Sequence, residues 1–243
     1  MKQPVFFTAG DTHALRQARN QLLTWGYEVS PTASDRVTHL MLPVPSFDRP
    51  GVVKGGQSFD EVLAKIPPNA TVLGGNLPDI SHKAVDFLKD EYYLTENAAI
   101  TAHCTMRLLQ HHTSTLAGLQ VLVIGWGRIG KQLIPLLKAR GADVSAAVRK
   151  ESDLNALRQL GITAVSIGQW TPRQYQIIIN TAPAPVLDEA QTDPHALLID
   201  LASIRGIRGD RVIWARGLPN QDAPDLSGIL IAKTALRYAL GKE

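Results

Sequence analysis

Residues 119–124 read Leu-Gln-Val-Leu-Val-Ile and run directly into Gly125-Trp-Gly-Arg-Ile-Gly130, after which apolar residues recur at helical spacing as far as Gly141. So apolar and β-branched a run is a buried strand, and the change of period at Gly125 marks a strand that turns straight into a helix. The three glycines have separate duties there. Gly125 makes the tight turn, Gly127 lets the backbone approach a pyrophosphate, and Gly130 lets the helix pack close to the strand. Trp126, Arg128 and Ile129 complete the loop, and the helix start at Arg128 and Ile129 offers backbone N–H groups and the positive dipole end to an anion. The pattern gains its weight from context: Gly141-Ala-Asp143 ends the helix and a second strand follows at 143–148. The carboxy-terminal half is therefore expected to be a Rossmann domain holding a dinucleotide.

The end of that second strand discriminates between cofactors, because an NAD site places a carboxylate about 20 residues after the loop to bind the ribose 2′-OH. Here the stretch is Ala146-Ala-Val-Arg149-Lys150. Arg149 can fork onto a 2′-phosphate while its plane stacks on adenine, with Lys150 beside it. NADP is expected, with NAD the alternative, and Glu151 just behind leaves open a plain solvated helix start. Two later strand ends, Asn180-Thr181-Ala182-Pro183 and Asp200-Leu201-Ala202-Ser203, with Leu218 and Pro219 beyond them, are expected at the carboxyl edge of the sheet, where open α/β sheets bind ligands.

The first 95 residues alternate short strands with helices, which implies a small flavodoxin-like parallel α/β domain. Strands are expected at 5–9, 27–29, 38–42 and 71–73, and helices from Asp11 or Thr12 to Trp25, at 59–66 and at 80–89, before an extended Tyr92-Tyr93-Leu94. A long helix over 96–117 is expected to bridge to the Rossmann domain, 118–243, which closes with a helix at 227–240. With 44% apolar and 19% charged residues a full core can form. No apolar run approaches the roughly 20 residues a membrane span needs, and the amino terminus lacks secretory character, so a cytoplasmic protein is expected. The net charge of +3 and scattered basic residues argue against nucleic acid.

Several residues invite chemistry. His111 and His112 are adjacent on a helix and point apart, so they cannot chelate one ion, and no metal is expected. Cys104, the single cysteine, excludes an internal disulfide and reads as a small buried hydrophobe. His103, beside it, either touches substrate or is merely exposed. Arg205, Arg208 and Arg211 either clamp carboxylates of an acidic substrate or form a solvated loop.

The combined pattern resembles the A subunits of dipicolinate synthases, found in spore-forming bacteria. The likeness rests on Leu42-Pro-Val44, Gln110-His111, residues 119–130, Leu136 and Lys138, Gly141-Ala-Asp-Val144, Arg149-Lys150, Asp153-Leu154 and Leu160-Gly161. It continues through Ile179-Asn-Thr181, Asp200-Leu-Ala-Ser203, Gly217-Leu-Pro219, Ala223-Pro224 and Ser227-Gly228. The resemblance implies oxidation of dihydrodipicolinate, or its hydroxy-tetrahydro precursor, to dipicolinate by hydride transfer, the partner being a flavoprotein-like second subunit. It places a small dicarboxylate substrate in a cleft between domains, near Pro43, Val44, Gly75, Thr101, His103, Ser203 and Arg205. The long bridging helix suggests a homodimer. The chain departs from the family pattern at Ala99-Ile-Thr-Ala102-His103, where a Pro-Thr-x-Glu-Gly run is usual, at Asp225, where a lysine is usual, and around 206–210, where a helix is cut to a loop. Those departures keep two alternatives in view: a non-catalytic NADP-binding regulatory subunit, and a D-2-hydroxyacid dehydrogenase-like enzyme.

Overall fold

The computed structural model describes residues 3–241. They form two compact units, one comprising the chain up to Asn97 together with everything from Ala223 on, the other Ala98–Asp222.

The first unit opens with β1 (Val5–Thr8), α1 (His13–Thr24), β2 (Glu28–Ser30) and β3 (His39–Met41). A small antiparallel hairpin, β4 (Phe47–Arg49) and β5 (Val52–Val53), leads to α2 (Phe59–Leu63), β6 (Thr71–Gly74) and β7 (Lys83–Asp86). The main strands pair in parallel in the order β2-β1-β3-β6-β7, the flavodoxin-like arrangement in which the chain reverses direction across the sheet between β1 and β3. Thr12 starts α1 by accepting a hydrogen bond from the Leu15 N–H at 3.2 Å. Ala14, Leu15, Ala18 and Leu22 then form its buried stripe. Gly26, at φ +82°, ends it in a conformation that side chains resist.

A 3-10 turn, Phe87–Lys89, precedes α3 (Glu91–Gln110), which begins in the first unit and continues in the second. The second unit then runs β8 (Gln120–Ile124), α4 (Arg128–Ala139), β9 (Asp143–Val148), α5 (Glu151–Gln159), β10 (Thr163–Ser166) and β11 (Ile177–Asn180). It finishes with β12 (Leu187–Asp188), β13 (Leu197–Asp200), β14 (Ile207–Arg208), β15 (Ile213–Trp214) and α6 (Leu218–Asp222). Six parallel strands lie in the order β10-β9-β8-β11-β13-β15, the doubly wound dinucleotide-binding topology. Its core holds Leu122, Ile124, Ala147, Tyr175, Ile178 and Leu198. Asn180 is in register with both Ile124 and Asp200, so β8, β11 and β13 end at one level. Among the described residues no helix is long and apolar enough to cross a membrane.

Three expectations are corrected. The expected helix at 80–89 is absent: 80–82 are irregular, Lys83–Asp86 are β7 and Phe87–Lys89 a 3-10 turn, β7 taking its hydrogen bonds from β6 while Asp86 accepts from the N–H groups of Leu88 and Asn76. The expected extended Tyr92-Tyr93-Leu94 is helical, because Asp90 receives the Tyr93 N–H at 2.6 Å and α3 starts five residues earlier than expected. The last helix, α7 (Pro224–Ala239), belongs to the first unit and not to the Rossmann unit. It packs along α1, and Gly228 makes the close approach possible: a Cβ there would stand 2.5 Å from the Gln17 Cβ and 2.6 Å from the Ala14 carbonyl oxygen. Gly228→Ala is therefore expected to destabilise the protein by about 1–3 kcal/mol through overpacking, a lower urea midpoint at unchanged slope being the check.

Candidate functional site

The strand-to-helix turn after β8 is built by close packing. Gly125 adopts φ +102°, and a Cβ on it would meet the Thr181 hydroxyl at 2.6 Å. Gly130 lies so near the turn that a Cβ would stand 2.3 Å from the Gly125 carbonyl oxygen. Gly127 differs: nothing in the protein lies within 4 Å of where its Cβ would be. It is the N-cap of α4 and no side chain caps that helix end, so the first turn presents backbone donors beside open space. The tight turn expected at Gly125 and the close packing expected at Gly130 are present, and Gly127 is the one of the three whose Cβ would face open space.

The neighbouring strand ends are held by a buried polar network. Asp200 is fully buried, and its carboxylate accepts from the Asn180 amide and the Ala202 N–H at 3.0 Å, the Gly206 N–H at 2.7 Å and the Ile207 N–H at 2.8 Å. Asn180, also fully buried, accepts from the Ala182 N–H and donates to the Ala182 carbonyl. Thr181 donates its hydroxyl to the Ile124 carbonyl at 2.9 Å, tying β11 to the end of β8. The Asn180 and Thr181 side chains, expected to face a cofactor, are thus spent on the scaffold. What this edge leaves accessible is Ala182, Pro183 and the exposed Ser203. Leu201 and Ala202 are buried, and the exposed Trp214 donates its indole N–H to the Ala202 carbonyl at 3.1 Å. Leu218 and Pro219 are buried in α6. The sequence marks Asp200 only as a strand end, with no role of its own. A carboxylate closing the apolar run Leu-Leu-Ile is the signal for that role, since a buried charge needs several donors.

At the end of β9, Arg149 and Lys150 are exposed, and Arg149 forms no hydrogen bond or ion pair among the described residues. Glu151 leans toward Arg158, at 3.7 Å, so it does not compete for Arg149.

The remaining candidates divide between the units. Pro43, Val44 and Gly75 come together at the ends of β3 and β6, knitted by the buried Ser46, which no sequence motif singles out. Its hydroxyl donates to the Pro43 carbonyl at 2.8 Å and accepts the Gly75 N–H at 2.9 Å. Pro43, Val44 and Gly75 are all buried, so they shape the loop and do not offer polar groups. Thr101, His103, Ser203 and Arg205 are in the second unit. Thr101 is buried in α3 and His103 is exposed. Arg205, expected to offer a fork to a carboxylate, instead donates to the carbonyls of Ile207 and Gly209. Arg208, whose side chain is exposed, lies 3.6 Å from Asp188 at the surface, and Arg211 lies 3.7 Å from Glu189. Of the two expectations for these arginines, clamp or solvated loop, the contacts favour the second: they satisfy nearby carbonyls and acids.

Cys104 is buried, and burial, with Asp222 adding to it and Arg107 opposing, pushes its thiol above the usual range. Its expected inert role fits that setting. Among the described residues no group of three or more His, Cys, Asp or Glu side chains could hold a metal.

This architecture has recognisable relatives, although no family model matches the chain. The A subunit of dipicolinate synthase from Bacillus subtilis (strain 168) is 26% identical over 220 residues, covering 82% of this chain and 74% of the relative. The chain resembles the dipicolinate synthase A subunits. The crystal structure of the corresponding protein from Bacillus halodurans superposes with a TM-score of 0.83 at 23% identity, covering 98% of this chain and 97% of the other. A transhydrogenase structure from Sinorhizobium meliloti shares the fold more distantly, with a TM-score of 0.64 at 12% identity over 96% of this chain and 92% of that one. The resemblance to these A subunits is thereby shown, and with it the α/β fold with parallel sheets.

The glycines separate fold from ligand in a measurable way. Gly130→Ala is expected to cost about 1–3 kcal/mol, since its Cβ meets backbone, whereas Gly127→Ala is expected to leave stability within about 0.5 kcal/mol. Thermal and urea unfolding of the two variants side by side checks this.

Proposed function

We propose that this chain is an NADP-dependent oxidoreductase that oxidises dihydrodipicolinate, or its hydroxy-tetrahydro precursor, to dipicolinate. The open space at Gly127, set beside an uncapped helix start in a doubly wound sheet, is the observation that carries the cofactor part. The likeness to the A subunit of dipicolinate synthase carries the substrate. In this reading Gly125, Trp126, Gly127, Arg128, Ile129 and Gly130 cradle the pyrophosphate through the backbone. Arg149 and Lys150 receive the 2′-phosphate, and Ala182 and Pro183, the accessible residues at the end of β11, border the ribose and nicotinamide.

The chemistry a bound NADP supplies is acceptance of a hydride. The dihydrodipicolinate ring gives up that hydride and a proton and becomes aromatic, so for that step the protein's task is alignment and exclusion of side reactions. The hydroxy-tetrahydro precursor must first lose water to reach the dihydro ring. Asn180 and Asp200 act here as positioning residues, because they fix the loops that meet the two rings. His103, Ser203 and Arg205 are the exposed polar side chains among the substrate candidates. A homodimeric assembly and a second, different subunit belong to the same proposal, the latter because the relative is itself named as a subunit.

A second reading is a non-catalytic NADP-binding subunit. It is favoured by Thr101-Ala102-His103, which lacks the acid the family pattern carries, and by Arg205, which donates to a carbonyl of its own loop.

Isothermal titration should show NADPH binding about 1–3 kcal/mol more tightly than NADH, a difference that Arg149→Ala largely removes. Equal affinities would sink the 2′-phosphate assignment. For the reaction, dipicolinate is followed by its ultraviolet absorbance from freshly generated precursor and NADP, with and without a candidate second subunit. Gly127→Ala should abolish both turnover and dinucleotide binding while remaining folded. Tight NADP binding with no product under either condition would select the non-catalytic reading.

A further inference from the structure

The first unit carries a pocket of about 480 Å³ that the proposed reaction does not use, lined by Trp25, Tyr27, Tyr92, Lys233, Leu236, Arg237 and Leu240. All seven residues belong to that unit, so the pocket is complete within it. Its size falls in the range of small-molecule sites. Gly26 creates one wall: the left-handed turn ending α1 places Trp25 and Tyr27 on either side of one glycine. The other wall is one face of α7, where Lys233, Arg237 and Leu240 recur at turn spacing. Tyr92, in the first turn of α3, supplies the third ring.

The polar groups of this pocket are left incomplete by the fold. The Arg237 guanidinium carbon lies 4.3 Å from the Tyr92 ring centroid, a cation–π stack that holds it in place. Its Nε is shielded from solvent and has no hydrogen-bond partner. Lys233, one turn earlier, is exposed and forms no ion pair among the described residues. Two like charges at i and i+4 repel one another, and an anion between them would reverse that sign. Trp25 is 38% exposed, so an indole face is available beside the cations. Cations alone would suit any anion, and aromatic rings alone any apolar body. Both in one concavity suit a flat ring that bears carboxylates.

We propose that the pocket between α1 and α7 binds a planar aromatic dicarboxylate, its ring against Trp25, Tyr27 and Tyr92 and its carboxylates on Lys233 and Arg237. None of the residues lining this pocket is among those assigned to the reaction above. Its ligand nevertheless shares the chemical class of that reaction's product, which would make the pocket a place where product acts back on the protein.

The test titrates the full chain, without dinucleotide, by calorimetry and tryptophan fluorescence. The probes are pyridine-2,6-dicarboxylate and benzene-1,3-dicarboxylate, with cyclohexane-1,3-dicarboxylate and AMP as comparisons. The aromatic diacids should bind at least about tenfold more tightly than the cyclohexane diacid, and Lys233→Gln should weaken them about tenfold. Lys233 is exposed, so that variant keeps the fold, which circular dichroism checks. Trp25→Phe should abolish the fluorescence change while calorimetric binding persists. Equal binding of the cyclohexane diacid, indifference to Lys233→Gln, a fluorescence change surviving Trp25→Phe, or tighter AMP binding sensitive to Lys233→Gln would each overturn the proposal. Indifference to Lys233→Gln with binding intact would place the diacid elsewhere and leave the proposed reaction standing.

Discussion

The second unit depends on one buried carboxylate. Asp200 ends an inner strand of the sheet, where an isolated charge would be prohibitive, and it is tolerated because four N–H donors converge on it. Those donors come from the end of β11, the turn after β13 and the loop around Gly206. One side chain therefore fixes three pieces of chain that hydrogen bonding within strands would leave independent. Charge-assisted bonds of this kind are each about twice as strong as neutral ones, and burial shields them from salt. Gly206 joins the network at a cost in side chain: a Cβ there would stand 2.4 Å from the Ala184 carbonyl oxygen. The rigidity of the sheet's carboxyl edge follows from this, and the dinucleotide site proposed at that edge would need such rigidity because ring alignment leaves little tolerance.

Legibility in the sequence tracks the range of the forces involved. The stretch from 119 to 148 can be read directly, since a buried parallel strand, a glycine turn and an amphipathic helix are each specified within a few residues. The six-strand order follows, because crossovers between parallel strands have few arrangements. Residues 80–89 mislead since Ile80, Ala84, Phe87 and Leu88 have helical spacing, while the strand they form is specified by β6, elsewhere in the chain. Asp90 is obscured as a helix cap by the two tyrosines that follow it, although its position three residues before Tyr93 is a capping distance. The arginines after Ser203 are not legible at all. Whether a guanidinium faces out to a ligand or back to its own loop depends on which carbonyls that loop leaves unpaired, and nothing local encodes that.

The site's own residues show the same division. Spacing alone assigns duties to Gly125, Gly127 and Gly130, and their surroundings separate in that way: two are hemmed in by backbone or by Thr181, and one faces open space. Asn180 and Thr181 lie at the expected edge, but their side chains serve the scaffold. A residue type compatible with a ligand is equally compatible with a turn, and only the partners decide between the two.

The placement of α7 has a consequence for how the molecule is made. The first unit begins with β1, yet the helix that covers α1 leaves the ribosome only after the whole of 98–222. Until α7 arrives, Ala14 and Ala18 face no partner at Gly228, and the nascent amino-terminal sheet carries an uncovered helix surface. The second unit is continuous in sequence and can close its own sheet first. Synthesis therefore runs in one order and completion in another: the unit begun first is finished last, and a chain stopped short of residue 223 has a whole Rossmann unit joined to an incomplete neighbour.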